Sequence, residues 1–226
     1  AGLAIDNRLQ LLRPLDIDTS KIVRPTIYLT DSEKTKAQQF LESNGIDLNK
    51  PLFMNGVLGS GNNKTYPFDY MAKLIDTIVS EQPESQILFN YIPKQEADAK
   101  TIFELCSPET KKHIFFEVFG ESLRDFLAIN SHCDALIGNE GGAINMSKAL
   151  NIPTFTIFSP WIKKEAWNMF DDGKKHVSVH LKDYDTDTYS DIEHPKELKS
   201  KASELYQKFK PSYFEDELIK FLKQFN

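Results

Sequence analysis

The sequence predicts a doubly wound α/β fold, Rossmann-like, with a parallel sheet covered by helices on both faces. Three observations carry that expectation. Apolar runs such as ILF and HIFFEVF are continuous rather than alternating, as strands buried on both faces are. Helical patterns lie between these runs with short connections. From Ala135 to Phe158 the chain reads as strand, glycine turn, short helix and strand in close succession.

Strands are expected at Leu52–Leu58, Gln86–Asn90, Ile114–Phe119, Ala135–Ile137, Thr154–Phe158 and Val177–His180. Helices are expected at Phe68–Glu81, Gln95–Leu105, Ser122–Ser131 and Ala143–Leu150, between the first five strands. In the first of these, Met71, Leu74, Ile75, Ile78 and Val79 form one apolar stripe. Pro153 stops the last, because a residue before proline is steered away from the α region. Upstream, Asn7–Leu12 looks like the tail of a helix ended by Pro14, and Pro25–Leu29 like a strand. Thr30-Asp31-Ser32-Glu33 is a capping box that opens a helix to about Asn44, with Gly45 as its stop. Downstream, the acidic loop KDYDTDTYSDIEHP leads to two helices. Their stripes are Leu198, Ala202, Leu205 and Phe209, then Leu218, Phe221, Leu222 and Phe225.

A chain of 226 residues can bury a sizeable core as one large domain or two small ones. Its net charge of −6 argues against a general nucleic-acid surface, which needs clustered cations. Cys106 and Cys133 have neither metal-ligand nor redox spacing, which suits a reducing cytoplasm. No apolar run approaches the length of a membrane span, and there is no signal peptide. The five histidines show no metal-ligand spacing. DYDTDTYSDIEH imitates a calcium loop, but Thr188 and His194 stand where glycine and glutamate belong, so it reads as a solvated acidic loop. Trp161 and Trp167 could cap a pocket or simply pack against the core.

Ligands of doubly wound sheets bind beyond the carboxyl ends of the strands, and two stretches there have unusual chemistry. In the glycine turn, Gly141 and Gly142 let backbone amides approach a ligand, and the helix from Ala143 points its positive end at the same place. That suits a phosphate or pyrophosphate, with Glu140 turned to sugar hydroxyls. The alternative is a tight turn with an exposed acid. The second stretch is GVLGSGNNKTYP, where Lys64 offers a point charge to a phosphate and Ser60 lines the approach. It is not a P-loop: Asn62 and Asn63 separate Gly61 from Lys64-Thr65, and Tyr66-Pro67 interrupts the helix start. The alternative for Lys64 is a solvated surface group.

The run from Leu52 to Pro160 resembles the C-terminal domain of family 9 glycosyltransferases, the group containing the lipopolysaccharide heptosyltransferases. The likeness rests on NNKTYP, IPKQEADAK, GESLRDFLAI and GNEGGAINMSKALNIPTFTIFSP. It implies the C-terminal half of a GT-B architecture: residues 1–50 a linker and remnant of an N-terminal domain, 51–182 a nucleotide-sugar-binding domain, and 183–226 the acidic loop and closing helices. It also implies that Lys64 contacts the donor phosphates, that Glu96 (or, shifted by one, Gln95) holds the ribose, and that Ser122 lies near the base. Glu140, Gly141, Gly142, Ala143 and Asn145 fall on the longest motif. Three of these depart from the family pattern. Glu140 replaces Asp, Gly141 replaces Ser or Thr, and Asn145 replaces a histidine, so the donor sugar stays open.

The resemblance further implies a glycosyltransferase moving sugar from a nucleotide-diphosphate donor to a lipopolysaccharide or other cell-surface polysaccharide, in the cytoplasm. No cofactor or metal is implied, and contact with the inner membrane would be peripheral at most. The catalytic base is expected on an N-terminal acceptor domain outside this chain. The other reading is a binding module of the same fold that holds a nucleotide or sugar phosphate and does no chemistry; a scaffold with an empty sheet edge is a third.

Overall fold

A computed structural model describes residues 4–20, 23–190 and 195–225. Five parallel strands form one sheet: β1 (Leu52–Gly56), β2 (Gln86–Phe89), β3 (Ala135–Asn139), β4 (Thr154–Ile157) and β5 (His176–Val179), in the order β2-β1-β3-β4-β5. Strands β1 to β4 are buried throughout, so their side chains alternate between two cores rather than between core and solvent.

The helices are α1 (Ala4–Leu9), α2 (Asp31–Ser43), α3 (Phe68–Glu81), α4 (Glu96–Leu105), α5 (Leu123–Asn130), α6 (Gly142–Ala149), α7 (Lys164–Trp167), α8 (Pro195–Ser200), α9 (Ala202–Lys208) and α10 (Glu215–Leu222). Leu52, Met54 and Leu136 face α2, α5 and α6 through Leu41, Leu127 and Ile144. Phe53, Ile137 and Phe155 face the other way, toward Met71 and Ile75 of α3 and Ile102 of α4. Leu205, Phe209, Phe214 and Phe221 join that second core, so the C-terminal helices close the same face as α3. Tyr66 sits among them fully buried; its hydroxyl donates to the Phe209 carbonyl at 2.6 Å, and its ring meets those of Tyr206, Phe209 and Phe214.

Several expectations are corrected. Ile114–Phe119 is not a strand: Ile114 makes a single bridge to Ile87 and the chain turns at once, Val118 N–H donating to the Phe115 carbonyl. Its apolar residues split between the cores, Phe116 in one and Val118 in the other, which a turn at the sheet edge achieves as well as a strand. Pro25–Leu29 pairs with no strand; Ile27 N–H caps the Ala149 carbonyl at the end of α6. Near the N-terminus α1 ends at Leu9, and a 3-10 turn over Gln10–Leu15 runs on through Pro14 rather than stopping there. Gly138 and Asn139 belong to β3 rather than to the turn after it. The first C-terminal helix breaks at Lys201 into α8 and α9. The capping box of α2 is as expected, Thr30 and Glu33 bonding reciprocally. Both cysteines are free and buried. Part of the acidic loop, 191–194, lies outside the described residues.

His176 and His180 are buried, and burial pushes both down to about 4. An unfolded histidine titrates near about 6.5. The unfolded chain therefore binds more protons between those values, and the stability gained from neutral histidines is lost as pH falls through that window. Unfolding free energy measured by urea should decline from about pH 6.5 to about pH 4. The decline should be shallower in His180→Gln.

Candidate functional site

Strands β1 and β3 are neighbours, but the chain leaves β1 for β2 on one side and β3 for β4 on the other. Their carboxyl ends are thus the topological switch point, where the departing loops part and leave a crevice. Gly138 makes the close approach possible. Its φ is +143°, and a Cβ there would lie 2.3 Å from the Gly56 carbonyl oxygen. One residue on, the Asn139 amide donates to that carbonyl at 2.9 Å and accepts from Tyr66 N–H at 2.7 Å. Residues 57–67 are consequently folded back over the strand ends. Within this loop the Thr65 hydroxyl accepts from Gly59 N–H and donates to the Gly61 carbonyl, and a Cβ on Gly59 would collide with the Lys64 carbonyl.

This folding delivers Lys64, at the end of a 3-10 turn over Asn62–Lys64, to the crevice. Its ammonium lies 3.4 Å from Glu140, the first residue past β3. That Glu140 oxygen is buried and has no hydrogen-bond partner of good geometry among the described residues. Burial raises the Glu140 carboxyl above the ordinary range, and the Lys64 charge works against that rise. Beyond it, Gly141 has φ +157° with open space around its Cα, and Gly142 opens α6. The first-turn amides of α6, those of Gly142 and Ala143 among them, have no acceptor within the helix. Asn145 is exposed one turn further on, and Ser60 is exposed in the Lys64 loop.

The neighbouring loops brace the crevice. The Gln95 side-chain amide donates to the Gly59 carbonyl at 2.9 Å, whereas Glu96 is exposed in the first turn of α4. Of the two residues in that motif, Gln95 is the one built into the Lys64 loop. A cavity of about 240 Å³ lies between them, lined by Gly59, Thr65, Tyr66, Gln95 and Asp98. From the loop after β4, Ser159 Oγ and Trp161 Nε1 both donate to the Asn63 carbonyl, at 2.8 and 2.6 Å. That fixes the half-buried Trp161 ring 5.7 Å from the Lys64 ammonium. Sequence reasoning left Trp161 between pocket and core; nothing in its spacing showed that its indole N–H would be tied to the residue before Lys64.

Ser122 stands apart from this cluster. Its hydroxyl caps α5 in a reciprocal bond with Asp125. Its neighbours Glu121 and Asp125 line a larger groove of about 500 Å³ between α2 and α5. There Arg124 binds Glu33 through two donors and holds that carboxyl down to about 2.

Fold and crevice together define a doubly wound α/β domain whose switch-point crevice holds a lysine, helix amides and a buried acid. The sequence profile of glycosyltransferase family 9 (heptosyltransferase) matches residues 2–196, and the chain belongs to that family. A lipopolysaccharide heptosyltransferase 1 of Campylobacter coli is 32% identical over 127 residues, covering 56% of this chain and 36% of the relative. The chain therefore spans little more than a third of that relative's length. Among solved structures, a family 9 glycosyl transferase from Veillonella parvula matches with a TM-score of 0.67 at 15% identity, over 92% of this chain and 61% of that one. An ADP-heptose lipopolysaccharide heptosyltransferase II from E. coli matches with a TM-score of 0.58 at 15% identity, over 86% and 57%. These two structures share the fold.

Two substitutions separate scaffold from site. Asn139→Ala should cost about 3 kcal/mol in urea unfolding, since it strands a buried N–H and carbonyl. Glu140→Gln should shift the melting temperature at pH 7 by no more than a few degrees, because it removes a charge that burial disfavours together with the pair that charge makes with Lys64.

Proposed function

We propose that the switch-point crevice binds a nucleotide-diphosphate sugar, and that this chain is the donor-binding part of an inverting glycosyltransferase that builds lipopolysaccharide or another cell-surface polysaccharide. The observation that carries the reading is the meeting of Lys64 and Glu140 beside the open N-terminus of α6. Cation and helix amides suit a diphosphate, and the acid suits sugar hydroxyls. Family membership supports the reaction class, and the name of the Campylobacter relative supports the acceptor class.

Transfer would be a direct displacement. An acceptor hydroxyl forms the new bond to the anomeric carbon as the bond to the diphosphate breaks, and the leaving group keeps the electron pair. The hydroxyl proton passes to a base that we place on an N-terminal acceptor domain. Lys64 and the amides of Gly141, Gly142 and Ala143 then balance the charge growing on the diphosphate, with no cofactor required. Glu140 holds sugar hydroxyls, Asn145 donates to the same group from the next turn, and Ser60 lines the phosphate approach. Gln95 or Glu96 takes the ribose, and Ser122 lies toward the base. We place the reaction in the cytoplasm with peripheral access to a membrane-borne acceptor. Among the described residues no helix is long and apolar enough to cross a membrane.

Calorimetric titration with a panel of nucleoside diphosphates and their sugars tests this. One nucleoside diphosphate should saturate the chain, and Lys64→Ala should weaken it by roughly tenfold or more. Glu140→Ala should weaken the nucleotide sugar more than the bare diphosphate. No binding at millimolar ligand, either by this chain or by a form extended at its N-terminus, would overturn the reading.

A further inference from the structure

The Trp161 ring carries two cations. Lys64 Nζ lies 5.7 Å from its centroid, and Lys199 Nζ, from α8, lies 5.2 Å from the same point. The two ammonium groups are thus no farther apart than those distances together allow. The ring does not drift, because its indole N–H is tied to the Asn63 carbonyl, which also accepts from Ser159. Tyr189 O–H donates to the Pro160 carbonyl and fixes the preceding residue. Leu198 packs against the core and so holds α8 in place, and the exposed Lys199 that follows it reaches the Trp161 ring.

We propose that Lys199 is a second cation of the diphosphate site, a phosphate contact held in readiness on Trp161. This rests on the donor-site reading above. The two lysines are not equivalent. Lys64 is already partly neutralised by Glu140, whereas Lys199 has no acidic partner among the described residues. A diphosphate carries more negative charge than Lys64 alone offsets, and the α6 amides supply only part of the rest. Contacts between exposed cations and an aromatic face are weak, so either lysine exchanges the ring for phosphate oxygens at little cost. Lys199 also lies beyond residue 196, where the match to the family profile ends, so the shared motifs do not assign it.

The test uses Trp161 as its own reporter. The sequence has two tryptophans, so a Trp167→Phe background leaves Trp161 alone to fluoresce. In that background the chain is titrated with ADP, UDP and inorganic pyrophosphate over a range of salt. Saturable binding should change Trp161 emission as the cations leave its face. Lys199→Gln, which keeps a long stem for packing, should weaken binding by about fivefold and flatten the salt dependence of affinity. Lys199→Arg should restore both. Binding and salt dependence unchanged in Lys199→Gln, with Lys64→Gln still weakened, would overturn the role of Lys199 and leave the donor site standing. Failure of these three ligands and of the corresponding nucleotide sugars to bind either the parent chain or a form extended at its N-terminus would overturn the donor site and this inference with it.

Discussion

Everything at the crevice depends on the side-chain amide of Asn139. Its carbonyl and NH₂ ends reach in opposite directions, one to Tyr66 N–H and one to the Gly56 carbonyl. An amide is one of the few side chains that offers donor and acceptor at once in a buried position. A carboxylate there would face the Gly56 carbonyl with like polarity, and an apolar group would leave two backbone groups unpaired. Gly138 is the companion constraint. Its absent Cβ lets β3 approach β1 closely enough for the amide to span the gap. The two residues together join the end of β3 to the loop after β1, and that is why Lys64 and Glu140 meet although 76 positions separate them in the chain.

The same anchor recruits the C-terminal helices. Asn139 holds Tyr66 by its backbone, and Tyr66 then projects its ring into the core formed by Phe209, Phe214 and Tyr206. Its hydroxyl ends on the Phe209 carbonyl, at the terminus of α9. Burial raises the phenol far above its ordinary range, so it stays a neutral donor. The polar bonding of the crevice and the aromatic packing beneath it are therefore a single structure. α8 follows from this, since it is joined to α9 and Leu198 completes the same core. The placement of Lys199 over Trp161 is a consequence of packing more than 40 residues downstream of the last strand end that shapes the crevice.

The sequence was legible wherever a single element decides its own fate. The α3 stripe lies buried as its spacing predicts, from Met71 to Val79, and the capping box at Thr30 opens α2. The glycine turn and the lysine loop do open on the same sheet edge. What failed are the places where two structures satisfy the same local pattern. HIFFEVF has the composition of a buried strand, but one bridge and a turn bury Phe116 and Val118 on opposite faces just as well. Ser122 is the N-cap of α5 through its reciprocal bond with Asp125, a role its place at the helix start carries besides the ligand contact proposed for it. Between Gln95 and Glu96, only the tertiary bond to Gly59 distinguishes the braced residue from the solvated one. Trp161 and Lys199 carry no local signal, because their meaning comes from a contact between distant segments.

The buried acid is the remaining puzzle, since a phosphate site would be expected to exclude it. Its position resolves the conflict. Glu140 is mostly shielded from water and sits against Lys64, while α6 points its free amides past Gly141 into open space. Without ligand, each charge of the pair offsets the other's desolvation, and the site is held closed on itself. A bare anion gains Lys64 but strands Glu140 as an unpaired buried charge, which is costly. A ligand with an anionic end and a hydroxylated end satisfies both at once. Under the proposed donor-site reading the ion pair acts as a filter, favouring a sugar joined to phosphate over phosphate alone, and the proposed second cation on Trp161 adds to the anionic end without touching the acid.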